Sequence, residues 1–221
     1  LEHLGFWMTR KGIQLLTKKV EAIMKIAAHT KRKKVRSFFG MVNFHRDMWP
    51  NGSEILAPLT ALISSSVKWK LTEIEDNVFK EMKQVMARET LLAFPDFNEP
   101  FVIHMDASKT QLGSVISQSG KPIAFCSRKL NPGQTHCTTS EQEPLSIVET
   151  LKEFRNILFG QQMATFTDHK NLVQKSLCSD RVMRWRLCIV KFSQAVNAVS
   201  QLPLSPGDMR VRSLRPDRIS H

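Results

Sequence analysis

The sequence has no tyrosine in its 221 residues, although it has 13 phenylalanines and 4 tryptophans. Cysteine is also scarce, and the 4 cysteines form no C-x-x-C pair. A disulfide framework of the kind that holds small secreted domains together needs a denser pattern, so that class is excluded. We expect Cys126, Cys137, Cys178 and Cys188 to be free thiols in a reducing, intracellular compartment.

Two further absences limit the class of protein. No apolar run approaches the roughly 18 to 20 residues that a membrane-spanning helix needs, so we expect no membrane partner. The opening, LEHLGFWMTRKG, lacks the features of a secretory signal. Acidic residues are also few, because 32 Lys and Arg stand against 20 Asp and Glu, for a net charge of +12. This excess favours a nucleic acid as the partner.

The first part of the chain has the hydrophobic spacing of helices. After a hairpin signal in LEHLGFWMTRKGI, residues 13–90 predict a small helical unit. Val35, Phe38 and Val42 share one helical face. Thr72 and Glu75 have the spacing of a capping box, which predicts the start of a further helix.

From residue 91 the pattern changes to short segments rich in β-branched and aromatic residues. The predicted elements are three consecutive antiparallel strands, then a helix, a strand and a helix, at residues 101–105, 113–117, 122–127, 141–158, 163–167 and 180–192. This order predicts a mixed α/β fold with helices packed on a sheet. The tail, rich in Pro, Ser and Arg, is expected not to pack.

Two predicted strands end in an acid, Asp106 and Asp168, and Glu143 lies at the start of the helix between them. Strands that end at one sheet edge bring their last residues together, and a helix that begins there can direct its first turn to the same place. Clustered carboxylates need a neutralising cation. Oxygen ligands without a His or Cys cluster favour Mg²⁺ or Mn²⁺, and with a basic chain they suggest phosphodiester hydrolysis.

Each acid also has a simpler interpretation. Asp106 can be a turn or helix-cap residue, which is the commoner role of an Asp after a strand. Glu143 can be the partner of Ser140 in a capping box, and Asp168 can cap a helix near Asn171. Only the combination of the three acids favours a metal site.

Eight segments follow one another in an order and spacing typical of one family. They are LGFWMTRKGI, KVRSFFGMVNFHRDMWP, LAPLTALI, VKWKLTEIEDNVFKEMK, LLAFPDFNEPFVIHMDAS, PIAFCSRKLN, TTSEQEPLSIVETLKEFRNILFG and FTDHKNL. From Leu4 to about Leu187 the chain thereby resembles the polyprotein of gypsy-type LTR retrotransposons. The matching part is the end of the polymerase, with its thumb, and most of the RNase H domain.

The resemblance implies an α/β fold of the RNase H-like kind, a mixed sheet with flanking helices, preceded by a small helical thumb. The implied domains are the end of the polymerase palm with the thumb at 1–90, the RNase H-like domain at 91–200 and a disordered basic tail at 201–221. The implied partners are an RNA:DNA hybrid or template-primer duplex and the remainder of the Pol polyprotein. The implied location is a cytoplasmic virus-like particle or the nucleus.

The resemblance also implies the roles of individual residues. Asp106, Glu143 and Asp168 correspond to the family's catalytic and metal-binding carboxylates, with Mg²⁺ or Mn²⁺ as cofactor. The candidate contacts to phosphates are basic residues of both units, namely Lys31, Arg32, Lys33, Lys34, Arg36, Arg128, Lys129, Arg181, Arg184 and Arg186. The basic run at 31–36 is equally typical of a solvated surface.

The sequence departs from the family at three places. It has no Asp-Asp dipeptide, so the chain alone is not expected to polymerise. VNAVSQLPL stands where the family has a fourth carboxylate. Pro144 directly follows Glu143, and we expect it to move the start of the helix about one turn later. These changes suggest a decaying or truncated copy as a hypothesis.

Two functions of different classes follow. The first is metal-dependent hydrolysis of the RNA strand in RNA:DNA hybrids, which we expect the missing acid to impair. The second is a catalytically inactive remnant that acts only as a nucleic-acid-binding or structural module. Binding by such a module would fall steeply with salt and would not change on Asp106→Asn.

Overall fold

The chain begins with a small antiparallel sheet. The computed structural model describes residues 1–26, 31–64, 67–88, 90–108, 110–166 and 180–192. The first sheet has three strands in chain order, β1 (Glu2–His3), β2 (Phe6–Thr9) and β3 (Gly12–Leu15). The predicted hairpin is present as β2 and β3, and β1 adds a strand to its outer edge.

A helical unit follows this sheet. Its helices are α1 (Thr17–Met24), α2 (Arg32–Phe44), α3 (Gly52–Ile55), α4 (Ala57–Ile63) and α5 (Glu73–Ala87), with a 3₁₀ turn at Arg46–Met48. The predicted stripe of α2 is buried, with Val35, Phe38 and Val42 each at most 2% exposed. Phe38 packs on Phe79 of α5 with 4.7 Å between ring centroids. The hydrophobic pattern therefore forms the core of this unit, as predicted.

The start of α5 also follows the prediction. Thr72 is the N-cap, and its backbone N–H donates to Glu75 Oε2 at 2.8 Å in a capping box. Two hydrogen bonds to the Glu75 carboxylate, one from the Thr72 side chain and one from the Thr72 backbone, lower the pKa of Glu75, because they favour the charged carboxylate.

The second sheet has four strands in the order β6-β5-β4-β7, which are Lys121–Lys129, Gln111–Gln118, Phe101–Ala107 and Met163–Phe166. The first three pair antiparallel, as predicted, and β7 pairs parallel to β4. One strand end differs from the prediction. β4 continues through Asp106 to Ala107, which pairs with Leu112, so Asp106 lies inside the strand and not after it.

Helices α6 (Thr139–Glu153), α7 (Arg155–Leu158) and α8 (Asp180–Phe192) accompany this sheet. Their core with the sheet includes Phe101, Ile103 and Ile116, all 0% exposed. Ser114 Oγ of β5 and Thr150 Oγ1 of α6 form a buried hydrogen bond of 2.8 Å across this layer. The prediction of a mixed α/β fold with helices packed on the sheet is confirmed.

The opposite side of the sheet packs on the helical unit. Phe125 is 7% exposed and belongs to the core of the helical unit, with Val115 beside it. Phe125 and Val115 are register partners on β6 and β5. The sheet is therefore covered by α6 and α8 on one face and by the helical unit on the other.

The start of α6 corrects two expectations. Its capping box consists of Thr138 and Glu141, with the Thr138 N–H 3.0 Å from Glu141 Oε2. The suggestion that Glu143 partners Ser140 is therefore wrong. Pro144 lies buried inside the helix and does not delay its start, because the capping box at Thr138, six residues before Pro144, establishes the first turn.

The tail at 201–221 and the region of VNAVSQLPL lie outside the described residues. Among the described helices, we find none that combines the length and the apolar content needed to cross a membrane.

Candidate active site

The candidate site begins at the parallel pair of strands β4 and β7. Their register partners run from Phe101 with Met163 to His104 with Phe166. At the last pair, the His104 and Phe166 rings stack with centroids 5.2 Å apart and an angle of 18° between their planes. The stacked rings hold the ends of the two strands in a defined register.

Asp106 and Asp168, two of the three candidate acids, each follow one member of this stacked pair by the same number of residues in the sequence. Asp106 is two residues beyond His104, and Asp168 is two residues beyond Phe166. The backbone of Asp106 lies in β4 opposite Gly113 of β5. Asp168, and with it the interpretation as a helix cap near Asn171, lies outside the described residues.

Glu143 lies in α6, five residues after its N-cap, Thr138. This helix packs directly against β4 and β5. Among the side chains that the structure describes, no cluster of three or more His, Cys, Asp or Glu could hold a metal ion. The side chains of Asp106 and Glu143 are not among those described, so their role as metal ligands stays a prediction.

The basic run of α2 divides into two kinds of residue. Arg32 donates from Nε to the Leu62 carbonyl at 3.1 Å and from Nη2 to the Val67 carbonyl at 2.6 Å. Arg36 donates from Nη2 to the Ile63 carbonyl at 3.2 Å. The Leu62 and Ile63 carbonyls lie at the end of α4, where cations are favoured by the helix dipole, and the Val67 carbonyl lies beyond that helix.

The three lysines of the same run, Lys31, Lys33 and Lys34, are exposed. The run therefore presents ammonium groups to solvent while its arginines bind the chain itself. Its lysines stay candidates for phosphate contacts.

The basic residues of the sheet unit also differ from one another. Arg128 on β6 forms an ion pair with Glu149 of α6, and Glu149 also pairs with Lys152 at 3.1 Å. Lys129 is exposed at the end of β6.

The basic residues of α8 follow. Arg184 is exposed and donates from Nε to the Asp180 carbonyl at 3.3 Å. Arg181 Nη1 lies 3.5 Å from the sulfur of Cys137. Arg186 lies in the same helix, and its side chain is not described.

Sequence reasoning missed a group of polar residues between the two units. Ser53 of α3 forms hydrogen bonds with Gln111 of β5 and Ser127 of β6. No sequence signal marks them, because the partners are 58 and 74 residues apart in the chain. We call Ser53, Gln111 and Ser127 the Ser53 cluster.

Comparisons with known proteins agree with this architecture. Residues 71–165 match the model of the RNase H-like domain found in reverse transcriptase. The chain is 32% identical over 200 residues to the retrovirus-related Pol polyprotein from transposon 297 of Drosophila melanogaster, covering 89% of this chain and 19% of the relative. It is 31% identical over 202 residues to that from transposon gypsy of the same species, covering 84% and 20%.

The similarity extends to a third relative and to solved structures. The Tf2-3 polyprotein of Schizosaccharomyces pombe is 26% identical over 209 residues, which cover 89% of this chain and 16% of the relative. The chain thus spans about one fifth of the length of the relatives that it matches.

Two structures of the foamy viral protease-reverse transcriptase have the same fold. One, in complex with RNA/DNA hybrid, has a TM-score of 0.72 at 21% identity, covering 93% of this chain and 30% of that chain. The other, in complex with double-stranded DNA, has a TM-score of 0.73 at 22% identity, covering 91% and 38%. With the mixed sheet and its flanking helices, the sequence similarities show that the chain contains, at residues 71–165, the RNase H-like domain found in reverse transcriptase and that its homologues are Pol polyproteins of gypsy and Tf2 transposons.

Proposed function

We propose that this chain is the nuclease-bearing segment of a retrotransposon reverse transcriptase and hydrolyses the RNA strand of RNA:DNA hybrids. The observation that supports this most is the β4–β7 register. Asp106 and Asp168 each follow the paired residues His104 and Phe166 by two positions in the sequence. Two carboxylates at matching positions beyond the last pair of the parallel strands suit a shared cation.

Three carboxylates fit a hard divalent cation, because Mg²⁺ and Mn²⁺ prefer oxygen ligands. Asp106, Glu143 and Asp168 are the residues proposed to hold it. When bound, such ions supply an activated water and stabilise the leaving oxygen. The protein's own contribution is to hold the carboxylates on a sheet strand and a helix whose positions the core of Phe101, Ile103 and Ile116 determines.

Substrate binding is proposed to rest on positive charge and duplex shape. The net charge of +12 favours a polyanion. The phosphate contacts proposed are the exposed Lys33 and Lys34 of α2, and Lys129 and Arg184 of the sheet unit. RNA is distinguished from DNA chiefly through its 2′-hydroxyls and the shape of the duplex. A foamy viral reverse transcriptase with this fold has been solved with an RNA/DNA hybrid, which supports the same substrate class here.

The missing fourth carboxylate is proposed to weaken one metal position. Catalysis would then be slower than in a chain with four acids, and Mn²⁺ would be the better cofactor. We propose further that a boundary between a thumb-like unit and the nuclease unit lies near residue 90, and that the remainder of the Pol polyprotein is the natural partner.

A second candidate function is that of a nucleic-acid-binding module without catalysis. It is favoured by the high positive charge together with VNAVSQLPL, which contains no acid where the family has its fourth carboxylate. In this case the charge alone would determine binding, and affinity would fall steeply with salt.

One assay separates the two candidates. Purified chain is incubated with an RNA:DNA hybrid labelled on the RNA strand, in Mg²⁺ or Mn²⁺, beside Asp106→Asn and Asp76→Asn. Asp76 lies in the first turn of α5, so Asp76→Asn makes the same change of charge outside the candidate site. The nuclease proposal expects cleavage by the parent and by Asp76→Asn but none by Asp106→Asn. Binding without cleavage by all three proteins would contradict it.

A further inference from the structure

The hydrogen bonds of the Ser53 cluster form a closed circuit between the two units. The Ser53 N–H donates to Ser127 Oγ at 2.9 Å, and Ser53 Oγ and Ser127 Oγ lie 2.7 Å apart. Ser53 Oγ donates to Gln111 Oε1 at 2.8 Å, and Gln111 Nε2 donates back to the Ser53 carbonyl at 3.1 Å. Every polar group of Ser53 is therefore bonded to the nuclease-bearing sheet.

The cluster lies on the same cross-strand row as the candidate catalytic aspartate. Gly113 of β5 pairs with Asp106 on one side and with Ser127 on the other. Two strand spacings of about 4.8 Å separate the Asp106 and Ser127 backbones, or roughly 10 Å. Sheet hydrogen bonds thus connect Ser127 of the Ser53 cluster to the row that carries Asp106.

A second connection joins the N-terminal sheet to the same unit. Ile13 of β3 and Leu92 exchange backbone hydrogen bonds of 2.7 and 2.9 Å. The next residue, Ala93, donates from its N–H to the Pro122 carbonyl at the start of β6, at 2.7 Å. The Ser53 cluster and this backbone bridge hold the sheet at two separate points.

We propose that Ser53, Gln111 and Ser127 are positioning residues, which set where the nuclease site stands on a duplex that the helical unit holds. The duplex would contact the exposed lysines of α2, and the cut would be made at the row of Asp106. The Ser53 cluster sets the spacing between these two places. It therefore determines which phosphodiester of the hybrid is cleaved. This inference rests on the proposed nuclease function for its cleavage measurement, but not for its distance measurement.

Hydrogen bonds suit this role better than apolar packing alone. The contact of Phe125 and Val115 with the helical unit is non-directional, so it stabilises association without defining one orientation. Gln111, at 9% exposure, requires partners for its amide, and a shift that separates it from Ser53 leaves polar groups unpaired at a cost of about 1–3 kcal/mol. The cluster thereby favours one alignment of the two units.

The first measurement does not depend on activity. Spin labels on non-natural residues at positions 81 and 121, both exposed, report the distance between the helical unit and the sheet by pulsed EPR. The variants are Ser53→Ala with Ser127→Ala, the conservative Ser127→Thr, and Ser37→Ala as control. Ser37 bonds only to the Lys33 carbonyl of its own helix among its described hydrogen bonds, so the control removes a hydroxyl away from the cluster.

We expect one narrow distance distribution for the parent, Ser37→Ala and Ser127→Thr, and a distribution at least twice as broad for the double variant. Circular dichroism and the melting transition show whether the double variant is folded. If it is not, Gln111→Met, which keeps the side-chain volume, replaces it. An unchanged distribution in a folded cluster variant would overturn the proposal.

The second measurement maps the cut sites on a hybrid labelled at one RNA end. The parent should cut within a window of a few nucleotides, and the double variant over a wider or shifted window. Ser127→Thr keeps the hydroxyl and should cut within the same window as the parent. A broadened distance distribution with an unchanged cut pattern would refute the positioning role. If the parent cuts no hybrid, the nuclease function fails, while the distance measurement still decides whether the cluster aligns the two units.

Discussion

His104 of β4 stacks on Phe166 of β7, with ring centroids 5.2 Å apart and planes at 18°, at the last register pair of the two parallel strands. An aromatic pair of this kind contributes about 0.5–1.5 kcal/mol beyond the area that it buries. Since Asp106 and Asp168 follow these residues by two positions, the stack is well placed to hold both acids in register.

Phe166→Ala should therefore weaken metal binding as well as stability. A loss of about 1 kcal/mol of binding free energy corresponds to roughly a fivefold higher Mn²⁺ concentration for the same metal-induced rise in melting temperature. Phe166→Leu keeps most of the apolar volume and should lie between Phe166→Ala and the parent. A variant that melts earlier but responds to the same Mn²⁺ concentration as the parent would contradict this prediction.

Gly12→Ala should destabilise the chain by more than about 2 kcal/mol, because it combines backbone strain with a lost bridge. Gly12 has a φ of +148°, and a Cβ there would lie 2.0 Å from the Leu92 carbonyl oxygen. Gly40, inside α2, has no atom within 4 Å of an added Cβ. Gly40→Ala should therefore stabilise by about 0.5–1 kcal/mol, as alanine favours helices. Urea unfolding measures the change in the free energy of unfolding of each variant, and the two changes should have opposite signs. A loss of stability in both would show that the Leu92 contact is not the cause.

The free energy of unfolding should decrease as the pH is lowered below about 6.5. The reason is His45, which is only 6% exposed and whose Nδ1 has no partner among the described atoms. Burial, and to a lesser degree the charge of Lys19, lowers the pKa of His45 in the folded state from its ordinary value of 6.5. The unfolded chain then binds more protons than the folded chain as pH falls below 6.5, so acid favours unfolding.

The measurement is the free energy of unfolding in urea between pH 7.5 and 5.5, for the parent and His45→Phe. The variant keeps a ring beside Phe6 and Phe44 and cannot be protonated, so its stability should fall less over this range. In His3→Gln, which removes an exposed histidine, His45 remains and the acid sensitivity should persist. Equal slopes for His45→Phe and the parent would show that His45 is not responsible.

Arginines and lysines of the basic run in α2 should respond differently to alanine. Arg32→Ala leaves the Leu62 and Val67 carbonyls without their donor and should cost about 1–3 kcal/mol of stability. Lys33→Ala, at an exposed position, should change stability by no more than about 0.5 kcal/mol. It should weaken hybrid binding and reduce the salt dependence, d log K/d log[salt], by about 1. Urea unfolding of the two variants, and their binding to the hybrid at several salt concentrations, test this prediction. If the lysine variant binds like the parent, the basic run is a solvated surface and not a phosphate-binding site.

Much of the fold could be predicted because the signals are local. The Thr72 capping box, the stripe of α2 and the three antiparallel strands depend on residues close together in sequence, and the structure confirms them. The start of α6 was predicted less well. Two Ser/Thr–Glu pairs at the same spacing, Thr138 with Glu141 and Ser140 with Glu143, overlap there, and local sequence does not decide between them.

By itself, the sequence determined the fold class, a strand beside Asp106 and a helix beside Glu143, and the resemblance to the Pol polyproteins of gypsy-type retrotransposons. Hydrophobic periodicity and turn chemistry act over a few residues, so they can be read without a structure. Only the tertiary structure decided that Arg32 and Arg36 bind carbonyls of α4, that Arg128 pairs with Glu149, and that Ser53 joins the helical unit to the row of Asp106. These contacts link residues far apart in the chain, and a polar side chain has no local pattern that specifies its partner until the core has brought the two units together.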